Sequence, residues 1–349
     1  MADLADINPA PFISVIIPCY NEEKFLPSLL EDILRQDYPK SLTEVMIIDG
    51  GSKDRSREII SGFSEKYPYI HLLDNSKRYV PFALNEGIRK SKGEVIIRLD
   101  AHARYPENYF SCLVHYLYEL KADNVGGVWN TLPGNNSLSA QAIASAVSSP
   151  FGVGNAHYRF EVKHARIVDT VPYGCYRKEV FDKIGYFDED LLRNQDDEFN
   201  ARLIKNGGVI YLVPDVKIDY YARSSVKSLM KMFCQYGLFK PLVARKLGKA
   251  VTLRQFIPPL FVLFISLFLF AGIFIRIIFY TWLAGISLYL IADLLFSAKI
   301  AGESGKWKLF FFLPWIFFLV HCSYGYGFLA GIWKFFITGS KKYKPSSTR

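Results

Sequence analysis

Residues 94–106 read EVIIRLDAHARYP, and this segment indicates both a fold class and a candidate site. The apolar residues at 95–97 and 99 show no polar face, which is typical of a strand buried in a parallel sheet. The run ends at Asp100 and His102, whose side chains point the same way if the chain stays extended. In open α/β sheets, ligands bind at the carboxyl ends of the strands. The pair therefore either binds a divalent cation or simply forms a strand-end turn with a solvated imidazole.

The sequence before this stretch alternates between strand and helix patterns. Strands are predicted at 13–17, 44–48 and 70–73, and helices at 25–36 and 82–91. Asn21 is predicted to cap the first helix, and Ser52 or Asp54 the helix that follows the second strand. This alternation predicts right-handed crossovers, and hence an α/β fold with a mostly parallel sheet flanked by helices.

Polar residues follow these strands: Asn21, Glu22, Asp49, Asp54 and Asp100. The chain has no GxGxxG after its first strand and no GxxxxGK[ST], so the sequence gives no support to a dinucleotide site or a P-loop. Two glycines after the second strand allow a ligand to approach the backbone closely. We expect a nucleotide here, with acidic groups binding its base and ribose and a cation binding its phosphates.

A second charged group, Gln195-Asp196-Asp197-Glu198, opens a predicted helix. Carboxylates are favoured at a helix N-terminus, so a solvated first turn explains two of the three. A carboxylate that faces a cleft would instead be able to deprotonate a hydroxyl nucleophile.

Five segments in order carry a resemblance to a known family: IPCYNEE (17–23), IDGGSKDRS (48–56), ALNEGIRKSKGEVIIRLDAH (83–102), YGCYRKEVFDKIGYFDE (173–189) and QDDEFNARLIKNGG (195–208). They resemble the family 2 glycosyltransferases, which have a GT-A fold, and within them the ExoA-type succinoglycan glucosyltransferases. The resemblance implies a UDP-sugar donor and Mg²⁺ or Mn²⁺ as cofactor.

The resemblance also implies roles for individual residues. The residues implied to bind the donor are Pro18, Tyr20, Glu22, Asp49, Gly51, Asp100 and Gly174, of which Gly174 would face the donor sugar or the acceptor. Asp100 would be the first carboxylate of a DxD metal motif whose second position is His102. Counting back from Arg202 places the general base at Asp196, with Asp197 as the second candidate.

Charge and cysteine content bear on the surroundings of the protein. The net charge is +9, and residues 220–254 contain eight Lys and Arg but no Asp or Glu. Next to long apolar runs, such a basic segment favours an anionic membrane surface over nucleic acid. Five scattered cysteines fit a reducing compartment. The polar, acidic N-terminus does not read as a signal peptide, so we expect a catalytic domain in the cytosol.

The C-terminal third reads as a membrane region. Apolar runs at 257–275, 277–296 and 309–337 are each long enough to span a bilayer, and the last fits one long span or a re-entrant piece. His321 within it is either functional or interfacial. The stripe at 224–242 predicts a helix lying in the membrane interface or, alternatively, a surface helix packed on the core.

The predicted segments are a catalytic domain (1–220), a basic amphipathic interface segment (221–255), a transmembrane region (256–338) and a basic tail (339–349). The lysines of the tail favour the cytosolic side, in conflict with three spans, which we nevertheless expect.

The function predicted is a multi-pass glycosyltransferase of the cytoplasmic membrane that inverts the anomeric centre. It would transfer a hexose to a lipid-linked saccharide in exopolysaccharide or glycolipid synthesis, with further polysaccharide-assembly proteins as partners. The alternatives are a polyprenyl-phosphate sugar transferase, a processive synthase and a non-catalytic sugar-nucleotide-binding scaffold.

Overall fold

The computed structural model describes residues 10–249 and 252–339. Its strands are β1 (Ile13–Cys19), β2 (Thr43–Asp49), β3 (Ile70–Asp74), β4 (Val95–Arg98), β5 (Ala103–Arg104), β6 (Asn124–Leu132), β7 (Arg166–Ile167), β8 (Cys175–Arg177) and β9 (Ile210–Tyr221). Its helices are α1 (Leu26–Arg35), α2 (Ser56–Lys66), α3 (Val80–Lys90), α4 (Tyr109–Glu119), α5 (Leu138–Val147), α6 (Pro150–Val153), α7 (Glu179–Ile184), α8 (Gln195–Lys205), α9 (Val226–Leu247), α10 (Ile257–Leu263), α11 (Leu269–Gly272), α12 (Arg276–Ser304) and α13 (Leu313–Ile332).

The strands form one mixed sheet in the order β3-β2-β1-β4-β8-β6-β9-β5, with β7 also pairing with β9. The first four of these strands are parallel, as the alternation of strand and helix predicts. Strands β8, β5 and β7 add antiparallel pairs, so the sheet is mixed beyond β4. The α/β class and the strands predicted before residue 100 are confirmed.

The register of the parallel strands brings their carboxyl ends to one edge. Val15 pairs with Val45 on one side and with Ile97 on the other, and all three side chains are fully buried. Each such side chain contributes roughly 1.5–3 kcal/mol through burial. At the end of the strands, Asp49 pairs with both Cys19 and Asp74, so the loops that follow these strands emerge together.

The cap predicted for the first helix is wrong. Helix α1 begins at Leu26, and Asn21 lies earlier, in the left-handed region with φ 55°. The side chain of Asn21 instead accepts a hydrogen bond from the Lys53 N–H, because the loops after β1 and β2 lie side by side. Of the two caps proposed for α2, the Asp54 carboxylate accepts from the Ser56 N–H.

The chain divides into two compact units. Of the described residues, the sheet unit contains 10–130 and 160–220, and the helical unit contains 131–159, 221–249 and 252–339. One boundary between the two units lies at residue 220, where the sequence predicts that the catalytic domain ends, and the predicted division of the chain stays a prediction. The segment 131–159, however, belongs with the helical unit, although it lies inside the predicted segment 1–220.

Within the part of the chain that the structure describes, the helical unit has three helices that are long and apolar enough to cross a membrane: Leu253–Gly272, Arg276–Ser304 and Leu313–Ile337. A turn of three residues separates the first two, as the position of Arg276 predicts. The third is one continuous helix, which fits a single long span. The basic tail predicted at 339–349 lies, from residue 340 on, outside the described residues.

Helix α9 packs against α13 within the helical unit. Leu229 and Phe233 of its predicted apolar stripe are buried, whereas Met230 is exposed. A side chain at Gly237 would collide with the backbone of Tyr324 on α13, so the two helices approach closely there. The stripe is therefore covered in part by α13 and is not wholly available to lipid.

His321 joins three parts of the helical unit. Its Nε2 donates to the carbonyl of Phe151, 2.8 Å away, so the neutral ring accepts at Nδ1 from the Tyr289 hydroxyl, 2.9 Å away. The Phe151 ring also packs edge-on against the imidazole. The contacts support a structural role for His321.

We expect His321→Leu to lower the stability of the helical unit by about 1–2 kcal/mol, because it leaves a carbonyl and a hydroxyl without this partner. Tyr289→Phe, which removes only one of the two bonds, should cost less. Thermal unfolding of the detergent-solubilised protein measures both changes. Unchanged stability with lost activity would contradict the structural role and favour a functional one.

Candidate active site

The loops after β1 and β2 are joined by hydrogen bonds at the carboxyl edge of the sheet. The Asn21 N–H donates to Ser52 Oγ at 2.8 Å, and the Glu22 N–H donates to Ser56 Oγ at 2.8 Å. The Glu23 N–H donates to the Asp54 carboxylate at 3.1 Å. Two of the predicted donor-binding segments therefore form one rigid rim.

The carboxylate of Asp49 holds the second loop. It accepts from the N–H groups of Gly51 and Ser52 and from the Ser52 hydroxyl, and it pairs with Arg57 at 2.9 Å. Gly51 has φ 77°, a conformation that glycine adopts at little cost. Because the Asp49 side chain is fully buried, the structure assigns it a role in shaping the loop, and its contact with uridine stays a prediction.

The remaining residues predicted to bind the base and ribose lie along the same edge. Pro18 is half-buried at the end of β1. The Tyr20 ring lies 4.8 Å from the Arg78 guanidinium, which stacks on it. Glu22 is buried, and its Oε1 lies 3.6 Å from Nδ1 of His102. The His102 imidazole thus links the first loop to the end of β4.

The two principal predicted functional carboxylates share one guanidinium. Arg98, the last residue of β4, donates from Nε and Nη2 to Oδ1 of Asp100, at 3.3 and 2.9 Å. Its Nη1 donates to Oδ1 of Asp196, in the first turn of α8. The Arg98 side chain is only 7% exposed, whereas those of Asp100 and Asp196 are 22% and 29% exposed. Arg98 and Asp196, which are 98 positions apart in sequence, are thereby brought into contact.

The surroundings of the two acids shift their pKa values in opposite directions. Burial acts to raise the pKa of Asp100, but the charges of Arg98 and His102 outweigh it and hold that pKa below its ordinary value. Burial raises the pKa of Asp196, and the charge of Arg98 reverses this only in part, since Asp100 adds to the rise. Asp100 is therefore suited to remain an anion, and Asp196 is the better proton acceptor.

Sequence reasoning did not identify Arg98 as a site residue. The signal was present, because an Arg within an otherwise apolar strand must be paired when it is buried. Its pairing with Asp196 could not be predicted from the sequence, since Asp196 is 98 positions away along the chain.

The acidic residues in the first turn of helix α8 make different contacts. Glu198 forms a two-point ion pair with Arg202, at 2.8 and 3.0 Å. Arg202 also donates to the carbonyls of Ile184 and Tyr186. Arg202, which sets the register of the predicted base, is thus a structural link between α8 and the end of α7. Asp197 lies half-buried beside Asp196.

Gly174 lies next to β4, where its carbonyl accepts from the Arg98 N–H at 3.0 Å. A Cβ at this position would come within 2.5 Å of Asn124 Oδ1 and of the Tyr176 ring. Protein atoms therefore occupy the side on which a side chain would extend, and contact of Gly174 with a sugar stays a prediction.

We expect Gly174→Ala to destabilise the protein by about 1–3 kcal/mol, because a methyl group must displace a buried amide or ring. Chemical denaturation of the purified protein measures the loss. Gly62→Ala is the matched control, because a Cβ at Gly62 meets no atom within 4 Å. Equal stability of the Gly174 variant and this control would contradict the steric reason for the glycine.

The fit of a metal ion can be judged from the donor set. Across residues 10–249 and 252–339, no three His, Cys, Asp or Glu side chains converge as a metal site. The bonds from Arg98 fall on Oδ1 of Asp100, which leaves Oδ2 for a cation. Magnesium sites in nucleotide enzymes often use one or two carboxylates and complete the shell with phosphate oxygens and water. Asp100 fits such a site, and ligation of the cation by His102 stays a prediction.

Comparison with known proteins identifies the family. The model of "Glycosyl transferase family 2" matches residues 14–185. A Methanococcus voltae protein named dolichyl N-acetyl-alpha-D-glucosaminyl phosphate 3-beta-D-2,3-diacetamido-2,3-dideoxy-beta-D-glucuronosyltransferase is 34% identical, over 93% of this chain and 98% of its own length. Succinoglycan biosynthesis protein ExoA of Rhizobium meliloti is 31% identical, over 70% of this chain and 73% of its own.

A solved structure shares the fold. The mannosyltransferase PcManGT from Pyrobaculum calidifontis, in complex with GDP-Man and Mn²⁺, matches with a TM-score of 0.59 at 18% identity. The match covers 93% of this chain and 87% of that one, and it shows a common GT-A fold. With a relative 34% identical along nearly its whole length, this chain belongs to glycosyl transferase family 2 and is a glycosyltransferase.

Proposed function

We propose that this glycosyltransferase is anchored in the cytoplasmic membrane and transfers a hexose-type sugar from a UDP-sugar to a lipid-linked saccharide, with inversion at the anomeric carbon. One observation carries the proposal: a single buried guanidinium holds Asp100 and Asp196 together at the carboxyl edge of the sheet. One carboxylate is thereby available for the diphosphate side of the reaction and the other for the acceptor.

Each residue of the site has a distinct part in the mechanism. Asp196 accepts the proton of the acceptor hydroxyl as that oxygen attacks the anomeric carbon, and the bond to the diphosphate breaks on the opposite side. A single displacement inverts the centre, so an α-linked donor gives a β-glycoside. Asp100 and His102 would hold Mg²⁺ or Mn²⁺, which neutralises charge on the diphosphate when it is bound. The rim formed by residues 21–23 and 52–56 would fix the nucleoside.

The class of acceptor is inferred from relatives and from the helical unit. The name of the Methanococcus voltae relative specifies an acceptor in which N-acetylglucosamine is linked through phosphate to dolichol. Three helices able to span a membrane suit an acceptor that is itself held in the bilayer. The name of that relative favours a lipid-linked sugar over a bare polyprenyl phosphate, and the helices suit either lipid. The sheet unit would face the cytosol, where nucleotide sugars are made.

We expect turnover to fall as the pH is lowered, and the fall should begin at a pH above the ordinary pKa range of aspartate. Asp196 must be deprotonated to act as a base, and burial raises its pKa, so activity is lost as the pH falls through that raised value. The dependence of kcat on pH, measured with saturating donor and acceptor, gives this limb. Activity that stays constant down to the pH of unfolding would contradict the role of Asp196.

The proposal is tested with a panel of acceptors. The full chain in detergent is incubated with Mn²⁺ and each of several UDP- and GDP-sugars, together with polyprenyl-phosphate-linked N-acetylglucosamine, polyprenyl phosphate or no lipid. We expect one donor to be used with the lipid-linked sugar, to give a β-linkage detectable by NMR. Transfer to polyprenyl phosphate alone, an α-linked product or a long polymer would contradict the proposal.

A further inference from the structure

Arg98 is almost fully buried, and arginine is rarely buried unless it is paired. It occupies the last position of β4, and its backbone N–H is bonded to the Gly174 carbonyl. Its guanidinium lies 6.0 Å from the Tyr173 ring. Burying an arginine is costly unless charged partners compensate, and Arg98 has two, from different segments of the chain.

The direction of the bonds shows what the guanidinium joins. Nε and Nη2 both donate to Asp100, and Nη1 donates to Asp196. Asp100 follows Arg98 by two residues, so that contact is local. Asp196 belongs to α8, which is tied on its other side to the end of α7 through Arg202. Arg98 therefore connects Asp196 to the central strand β4 through an ion pair.

Charge explains why such a link is needed. Asp100 and Asp196 influence one another electrostatically, and Asp100 disfavours the ionised form of Asp196. Two carboxylates without a positive charge between them would repel, and the side chain on the helix would turn away. The planar fork of arginine directs separate N–H groups to each acid, which a lysine ammonium cannot reproduce with the same geometry.

We propose that Arg98 is a positioning residue that holds the Asp196 carboxylate in register with Asp100, so that acceptor activation and diphosphate departure occur at a fixed separation. The inference rests on the proposed function of Asp196 as the base. Arg98 itself takes up no proton and forms no bond with the reacting atoms. It acts through Asp196, and this makes the inference separable from the proposed function by experiment.

The test is a double-mutant cycle with Arg98→Met and Asp196→Asn. We expect Arg98→Met to lower kcat by about 10–100-fold, since a misplacement of about 1 Å costs up to 10² in rate. The donor KM and the affinity for UDP with Mn²⁺, measured by calorimetry, should change much less. In the Asp196→Asn background, Arg98→Met should lower kcat by a clearly smaller factor than in the wild type, because the part of its effect that acts through Asp196 is already lost.

Arg177→Met is the matched control. Arg177 lies on the adjacent strand β8, directly opposite Val95, and its side chain binds the carbonyls of Ala122 and Leu117. Its loss should affect stability without a specific fall in kcat. If Arg98→Met does not fold, Arg98→Lys serves in the same cycle, with a smaller loss of kcat expected because the charge is kept.

Two outcomes would overturn the inference: an unchanged kcat in the Arg98 variants, or an equal loss of kcat in the wild-type and Asp196→Asn backgrounds. Failure of the proposed function gives a different result. In that case Asp196→Asn alone would leave turnover near normal, whatever the effect of Arg98→Met.

Discussion

Asp196→Asn should lower turnover by about 10²–10⁴-fold, the range expected for loss of a general base. An amide keeps the shape of the side chain and one acceptor for Arg98, but it cannot take up the proton of the acceptor hydroxyl. Because the change leaves the charge of Asp100 and its contact with Arg98 in place, we expect UDP binding in the presence of Mn²⁺ to be retained.

Single-turnover transfer to the lipid acceptor is the appropriate measurement, since it isolates the chemical step from product release. Asp197→Asn distinguishes the two candidate bases, because Asp197 is not the partner of Arg98 in the salt bridge to α8. If Asp197→Asn causes the large loss and Asp196→Asn the small one, the register of the base is shifted by one residue.

Asp100→Asn should lower turnover by about 10²–10³-fold, comparable to the removal of one group that stabilises charge in a transition state. It should also raise the concentration of Mn²⁺ needed for half-maximal activity. Although burial acts to raise the pKa of Asp100, the charge of Arg98 holds it below its ordinary value, and a neutral amide cannot replace that anion beside a cation bound to diphosphate.

Titration of activity with Mn²⁺, together with direct binding of Mn²⁺ in the presence of UDP, measures the effect. His102→Asn gives the contribution of the second ligand, which we expect to be smaller because the imidazole also contacts Glu22. A normal Mn²⁺ requirement in Asp100→Asn would rule out Asp100 as a metal ligand.

Periodicity was sufficient to predict the central part of the fold. The apolar runs of β1, β2 and β4 are buried on both faces, so their strand character appears directly in the sequence. Once the strands were identified, parallel pairing placed Asp49 and Asp100 at one edge. The acidic start of α8 was also predictable, because carboxylates are favoured at a helix N-terminus.

Long-range pairing was not predictable from local patterns. Asn21 resembles a helix cap, yet its side chain accepts a hydrogen bond from Lys53 of a neighbouring loop, and helix α1 begins only at Leu26. The apolar helix α5 reads as part of a catalytic domain but packs with α13. Arg98 was recognisable as unusual, but only the fold shows that its partner is Asp196. Each of these contacts joins residues that are far apart in sequence.

The most direct test of single-displacement transfer to a lipid-linked sugar is to measure nucleoside diphosphate release and glycolipid formation in the same reaction. The purified full chain, Mn²⁺, a UDP-sugar and polyprenyl-phosphate-linked N-acetylglucosamine should give the two products in equal amounts, and both should fall together in Asp196→Asn. Folded protein that forms no glycolipid with any donor, or that releases nucleoside diphosphate without glycosylating the lipid, would contradict it.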